Sequence, residues 1–145
     1  MIADEARKNE LFQRLVRGRA SGLPIAVAGA SRDPNKYGHI IVRYLAGRGY
    51  TVYPIHPSEP EIAGLPAFPS LSALPGPVEI VDVVTPPAVS RKILAQAEAL
   101  GLPVLWFQDG SWDEQLRPAL DASPVLCILG ACVMVVAGRE LPPGA

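Results

Sequence analysis

The chain has 145 residues, close to the ~150 expected of one domain, and a globular chain of this size buries ~70% of the surface it exposes when unfolded. Apolar residues make up 49% and charged residues 19%, which excludes a disordered, charge-rich chain. Thirteen basic residues against 14 acidic ones leave a net charge of -1, so no overall field favours nucleic acid or an anionic membrane. The apolar runs stop well short of the ~20 residues of a membrane span, and MIADEARKNE carries acids where a signal peptide is apolar. Cys127 and Cys132 are too few for a disulfide framework or a cysteine zinc site. The expectation is one soluble, cytoplasmic domain over residues 1–145, with no nucleic-acid or membrane partner.

Residues 1–22 read as a leading amphipathic helix, because Leu11, Phe12, Leu15 and Val16 recur at helical spacing between Asp4 and Arg19. Ile25 to Ala28 is a continuous apolar run, as in a strand buried on both faces. The loop GASRDPNKYG follows, and then a helical stripe of Ile40, Ile41, Tyr44 and Leu45 closed near Gly47 and Gly49. Thr51 to Ile55 is a second strand. The proline-rich segment from His56 to Pro77 predicts a short strand at Leu65 to Phe68 and a helical turn at Ser70 to Leu74. Val78 to Val84 is strand-like. Thr85-Pro86-Pro87 opens a helix with Val89, Ile93, Leu94, Ala97 and Leu100 on one stripe, with Thr85 or a neighbour as its cap and Gly101 as its end. Val104 to Phe107 is a strand, Trp112 to Ala122 a helix and Val125 to Leu129 a last strand. Ala131 to Ala137 either completes the core or forms a dimer seam, and 138–145 is a fraying tail. Strands alternating with helices over short connections predict a Rossmann-like, doubly wound α/β domain, with a mainly parallel sheet of about five strands and helices on both faces.

In such a sheet, ligands bind beyond the carboxyl ends of the strands, where the strand order reverses. Those ends carry four loops here: Gly29 to Gly38, Ile55 to Pro57, Thr85 to Val89, and Gln108 to Ser111. The first does not fit a nicotinamide site. Counting from Gly29, Ser31 and Pro34 occupy the positions of the second and third glycines of G-x-G-x-x-G, and the second strand exits into Ile55-His56-Pro57 without the acid that holds a ribose. Phosphate remains chemically suitable, since Gly29 permits a tight turn, Ser31 offers a hydroxyl, and the next helix aims free N–H groups at the loop. Arg32 and Lys36 add cations; the competing reading is an ordinary solvated loop.

The stretch IAVAGASRDPNKYGHIIVRYLAGRGYTVYPIHP closely resembles the opening of the small stand-alone bacterial CoA-binding proteins. The similarity continues through LPAFPSLSALP, VEIVDVVTPPAVSRKILAQAEALG and VLWFQDG, from about Pro24 to Cys132. The CoA-binding part of succinyl-CoA ligase α subunits shares this fold. The resemblance implies coenzyme A or an acyl-CoA as ligand. It implies that Gly29, Ala30, Ser31, Arg32 and Lys36 hold the phosphates and that Ile55, His56 and Pro57 line the path of the nucleotide or pantetheine arm. Thr85, Pro86, Pro87 and Val89 then cradle the adenine side, and Gln108 with Gly110 closes the mouth. The sequence departs from the family pattern at Thr85 (arginine in many relatives), at His56 (usually asparagine) and in LGACVMV, which replaces D-R-C.

A catalytic constellation does not emerge from the residues. His39 reads as a surface or capping residue, and His56 as a loop histidine bonded to ligand or backbone or else as a special group. Cys127 reads as a buried small hydrophobe, Asp109 as a turn residue, and Cys132 is reactive only if exposed. The ligase comparison implies a second, phosphohistidine-bearing domain for which the chain has no room. The expected function is therefore a non-catalytic binding or regulatory module for coenzyme A, acting alone, as a homodimer or with an unknown protein partner. The alternative is a small NAD(P)-dependent oxidoreductase with a degenerate fingerprint.

Overall fold

The computed structural model describes residues 1–140. The elements follow in chain order as α1 (Glu5–Gly18), β1 (Pro24–Ala28), α2 (Tyr37–Gly47), β2 (Thr51–Ile55), β3 (Glu61–Ile62), β4 (Leu65–Pro66), β5 (Ile80–Val83), α3 (Pro87–Leu100), β6 (Val104–Phe107), α4 (Arg117–Ala122), β7 (Leu126–Ile128) and α5 (Val133–Ala137). Five strands form one parallel sheet in the order β2-β1-β5-β6-β7, the predicted architecture. β3 and β4 make a separate antiparallel hairpin, so the short strand expected at Leu65 to Phe68 joins the main sheet only through a bridge from Phe68 to Ile55.

Alternation along the strands divides the core in two. Ile25 and Val27 point to the face covered by α1, α2 and α5, where Leu15, Ile41, Leu45 and Val136 pack. Ala26 and Ala28 point to the face covered by α3 and α4, where Leu94, Ala97, Leu116 and Leu120 pack. The helix α1 starts at Asp4, whose carboxylate accepts the Arg7 N–H at 2.9 Å. It is held down by the Tyr50 hydroxyl, which donates to the Leu15 carbonyl at 2.7 Å, and by Phe12 stacked on Trp106 at 5.1 Å. The segment after β7 completes the core: Val133, Val136 and Ala137 are buried against α1 and α2.

Several expectations need correction. The buried face of α2 is Gly38, His39, Ile41, Val42 and Leu45, while Ile40 is exposed, so the helix is rotated from the expected stripe. On α3, Val89 and Leu100 are exposed and the buried set begins at Ser90. Of Thr85 and its neighbours it is Pro86 that occupies the cap position of α3, without a side-chain bond. The helix expected from Trp112 begins only at Arg117, because Asp113 closes a turn by accepting the Leu116 N–H at 2.9 Å. Gly138 and Arg139 do not fray, since their N–H groups donate to Met134 and Val136, whereas the rest of the expected tail, 141–145, lies outside the described residues.

One polar side chain lies inside the sheet. Asp82, in the centre of β5, is fully buried between Val27 of β1 and Trp106 of β6. Gln108 Nε2 donates to its Oδ1 at 2.6 Å, and Oδ2 has no partner among the described residues. Burial pushes the carboxyl up to about 8, against the opposing pull of the Gln108 hydrogen bond, and so favours the neutral acid in the fold. Between the ordinary carboxylate range and about pH 8 the folded chain binds the proton that the unfolded chain has released. Stability therefore falls as pH rises through that window, by at most ~1.4 kcal/mol per pH unit. Asp82→Asn keeps an acceptor for Gln108 and removes the titration. Urea denaturation at pH 5, 6.5 and 8 is expected to show this decline in the parent and its loss in the variant; parallel profiles would mean that Asp82 is ionised in the fold.

Candidate functional site

The strand order reverses between β1 and β5, and an open cleft of about 500 Å³ lies at the carboxyl ends of these strands and of β2. It brings together Gly29, Ala30, Ser31, Lys36, His56, Pro57, Thr85 and Pro86 from the sequence reading, together with Tyr37, Gly38 and Val84, which that reading did not select. The floor depends on two glycines. Gly29 has φ +95°, and a Cβ there would lie 3.0 Å from both the Thr85 methyl and the Val84 carbonyl carbon. Gly38, in the first turn of α2, leaves room for a Cβ only 2.1 Å from the Gly29 carbonyl oxygen. Gly38 thus lets the helix start against the end of β1, the packing role that the third glycine plays in a dinucleotide fingerprint. The wider spacing hid it from motif matching.

Between these glycines the loop is tied by its own side chains. Ser31 Oγ accepts the Asp33 N–H at 3.1 Å, and Asp33 Oδ1 accepts the Asn35 N–H at 2.9 Å. His39 is buried and its Nδ1–H donates to the Ser31 carbonyl at 2.9 Å, so it anchors the loop from beneath and is not a surface residue. Among the described residues, the N–H groups of Ala30, Ser31, Tyr37 and Gly38 find no acceptor. These four residues line the cleft at the positive end of the α2 dipole, and the exposed Lys36 beside them has no ion-pair partner among the described residues.

The opposite wall is equally specific. His56 Nδ1 accepts the N–H groups of Ser58 at 3.1 Å and Glu59 at 3.0 Å, which places the ring proton on Nε2. An asparagine side-chain oxygen could make the same turn and its NH2 could also donate, so the histidine keeps the loop geometry and offers its donor from a ring on a cleft-lining residue. Thr85 donates its hydroxyl to Ser90 Oγ at 2.8 Å, while Ser90, fully buried, donates to the Thr85 carbonyl. This exchange turns the Thr85 hydroxyl toward α3 and leaves its methyl beside Gly29.

The remaining predicted residues lie elsewhere. Arg32 points to Glu59, 3.4 Å away, and does not line the cleft. Ile55 is buried in the sheet, and Pro87 and Val89 belong to α3 outside the cleft wall. Gln108 does not close the cleft mouth; with Tyr37, Asp109, Gly130, Ala131 and Cys132 it lines a second cavity of about 100 Å³. Gly110, at φ +89°, shapes the loop after β6 and lines neither space. Cys127 is buried, and its thiol is pushed up to about 11 by that burial. The described residues contain no cluster of metal-ligating side chains and no helix long and apolar enough to cross a membrane.

The same domain recurs in other proteins. An uncharacterized protein of Bacillus subtilis, YneT, is 30% identical over 135 residues, covering 90% of this chain and 92% of the relative. The structure of a conserved hypothetical protein from Pyrococcus furiosus superposes with a TM-score of 0.74 at 38% identity, over 78% of this chain and 97% of that one. An ADP-forming acetate–CoA ligase II α subunit of Pyrococcus furiosus is 34% identical over 79 residues, which is 54% of this chain and 17% of the ligase subunit. The CoA binding domain model matches residues 24–138, and the chain belongs to that family.

Proposed function

We propose that the switch-point cleft binds coenzyme A and that the protein is a binding module and not a catalyst. One observation carries the reading: four backbone N–H groups without acceptors, the α2 N-terminus and the Lys36 ammonium meet where β1 and β5 diverge. That is a receptor for a diphosphate in a chain with no overall positive field. Thr85 and Pro86 offer an apolar wall to the adenine, and His56 Nε2–H a donor to the nucleotide. The pantetheine arm runs past Tyr37, which lines both the cleft and the second cavity, toward Gln108 and Cys132. From β1 to β7 is three strand spacings, ~14 Å. The arm has as many chain atoms as four extended residues, also ~14 Å. A binding role is favoured because the cleft lining holds an ammonium, a phenol and an imidazole but no carboxylate or thiol to act with them.

Titration calorimetry with coenzyme A and NAD tests this directly. Coenzyme A is expected to bind, and Lys36→Ala to weaken it about ten-fold, since a hydrogen bond to a charged group is worth ~1.5–3 kcal/mol. Ser31→Ala is expected to weaken it less; unchanged affinity in both variants, or tighter binding of NAD, overturns the assignment.

The two glycines of α2 give an internal comparison. Gly38→Ala forces the helix off the Gly29 carbonyl and is expected to lower stability by ~1–3 kcal/mol and to abolish coenzyme A binding. Gly47→Ala meets no atom within 4 Å and is expected to be neutral or stabilising by up to ~1 kcal/mol. Thermal melts with and without ligand read both effects, and equal behaviour of the two variants would remove Gly38 from the site.

A further inference from the structure

The identity of the acyl group is open in the coenzyme A reading, on which the following inference rests. Gly130, Ala131 and Cys132 line the small cavity at Gln108 and also a groove of about 400 Å³ between α1 and α5, so the two spaces adjoin along this segment. A Cβ built on Gly130 meets no atom within 4 Å, which marks open space at the junction. The groove lining combines apolar side chains with the charged Glu5, Lys8 and Arg139. Phe12 comes from α1, and Val135 and Val136 come from α5. Val135 is 65% exposed, the highest value among the exposed large hydrophobic side chains of the described residues. The groove also depends on a helix that lies before the residues shared with the family, since α1 ends at Gly18 and the family match begins at residue 24.

We propose that this groove receives the acyl chain of a coenzyme A thioester whose nucleotide occupies the switch-point cleft, and that it selects linear apolar chains of medium length. The nucleotide fixes the other end of the ligand, so the sulfur arrives beside Cys132 and the groove is the next space along. At ~30 Å³ for each small group, 400 Å³ has room for on the order of ten carbons.

Calorimetry on the full chain with coenzyme A, acetyl-CoA and octanoyl-CoA tests the assignment. Full burial of a methylene is worth roughly four-fold in affinity, so half-burial gives about two-fold each. Octanoyl-CoA is then expected to bind on the order of ten- to sixty-fold tighter than acetyl-CoA. Val135→Asp alters an exposed position and is expected to erase this gain while leaving coenzyme A unchanged; Val135→Trp, which fills the groove, is expected to do the same. Equal affinities for the acetyl and octanoyl compounds overturn the groove but not the nucleotide cleft, whereas failure of all three compounds to bind overturns both. A gain that survives both variants places the chain elsewhere. A gain that appears only after removal of residues 141–145 makes the tail the occupant; either result overturns the proposal.

Discussion

The site rests on the contact between the first turn of α2 and the end of β1. Gly38 brings the helix so close to the Gly29 carbonyl that any side chain would meet backbone. The contact fixes where the helix begins, and hence where its unbonded N–H groups lie relative to the switch point. His39 adds a second tie by donating to the Ser31 carbonyl. The shape of the cleft at this end is therefore a product of backbone packing, and side chains such as Lys36 add charge to it. In a chain whose formal charge is close to zero, the positive field at this end of the cleft is local and built largely from dipoles.

The cleft's outer edge is held less firmly. Arg32 and Glu59 join the loop after β1 to the loop after β2, but the Arg32 side chain is 71% exposed. An exposed pair of this kind is worth ~0–1 kcal/mol, so an arriving phosphate can take Arg32 from Glu59 at little cost. What keeps Glu59 in position is His56, through its Nδ1 acceptor, rather than the ion pair itself. The two walls thus differ in stiffness: buried packing at Gly29, Gly38 and Thr85, and a hydrogen-bonded turn at His56 to Glu59.

Much of the architecture was legible because strands buried on both faces leave unbroken apolar runs. Thr51–Ile55 and Val104–Phe107 appear as read, and Gly101 ends α3 in the left-handed conformation that glycine favours. The loops at the strand exits followed from topology, and eight of the expected residues do line one cleft. The failures have physical causes. The face of α2 is set by Gly38 and His39, neither of which contributes to an apolar stripe. Asp82 hides in the run IVDVV because a single acid leaves the apolar pattern on either side of it intact. The family resemblance implies Gln108 at the mouth, but the partner that turns it inward, Asp82, is 26 residues earlier in the chain.

Trp106 shows how far such long-range ties reach. Its ring stacks on Phe12, so α1 is packed onto the sheet at the strand next to Asp82. Its indole N–H donates to the Ala131 carbonyl at 2.9 Å, which fixes the segment that lines both the small cavity and the α1–α5 groove. One buried side chain therefore couples α1 to the segment that the two cavities share. The same residue sits beside Asp82 in register, where a buried carboxyl with an unpartnered oxygen opposes folding. Aromatic stacking and dense apolar packing on this face offset that penalty. The Asp82–Gln108 bond in turn sets the orientation of Gln108 in the cavity wall. An apolar residue at position 82 would pack with less penalty but would leave the Gln108 amide unheld. The buried acid thus costs stability to the fold and contributes order at the cavity wall.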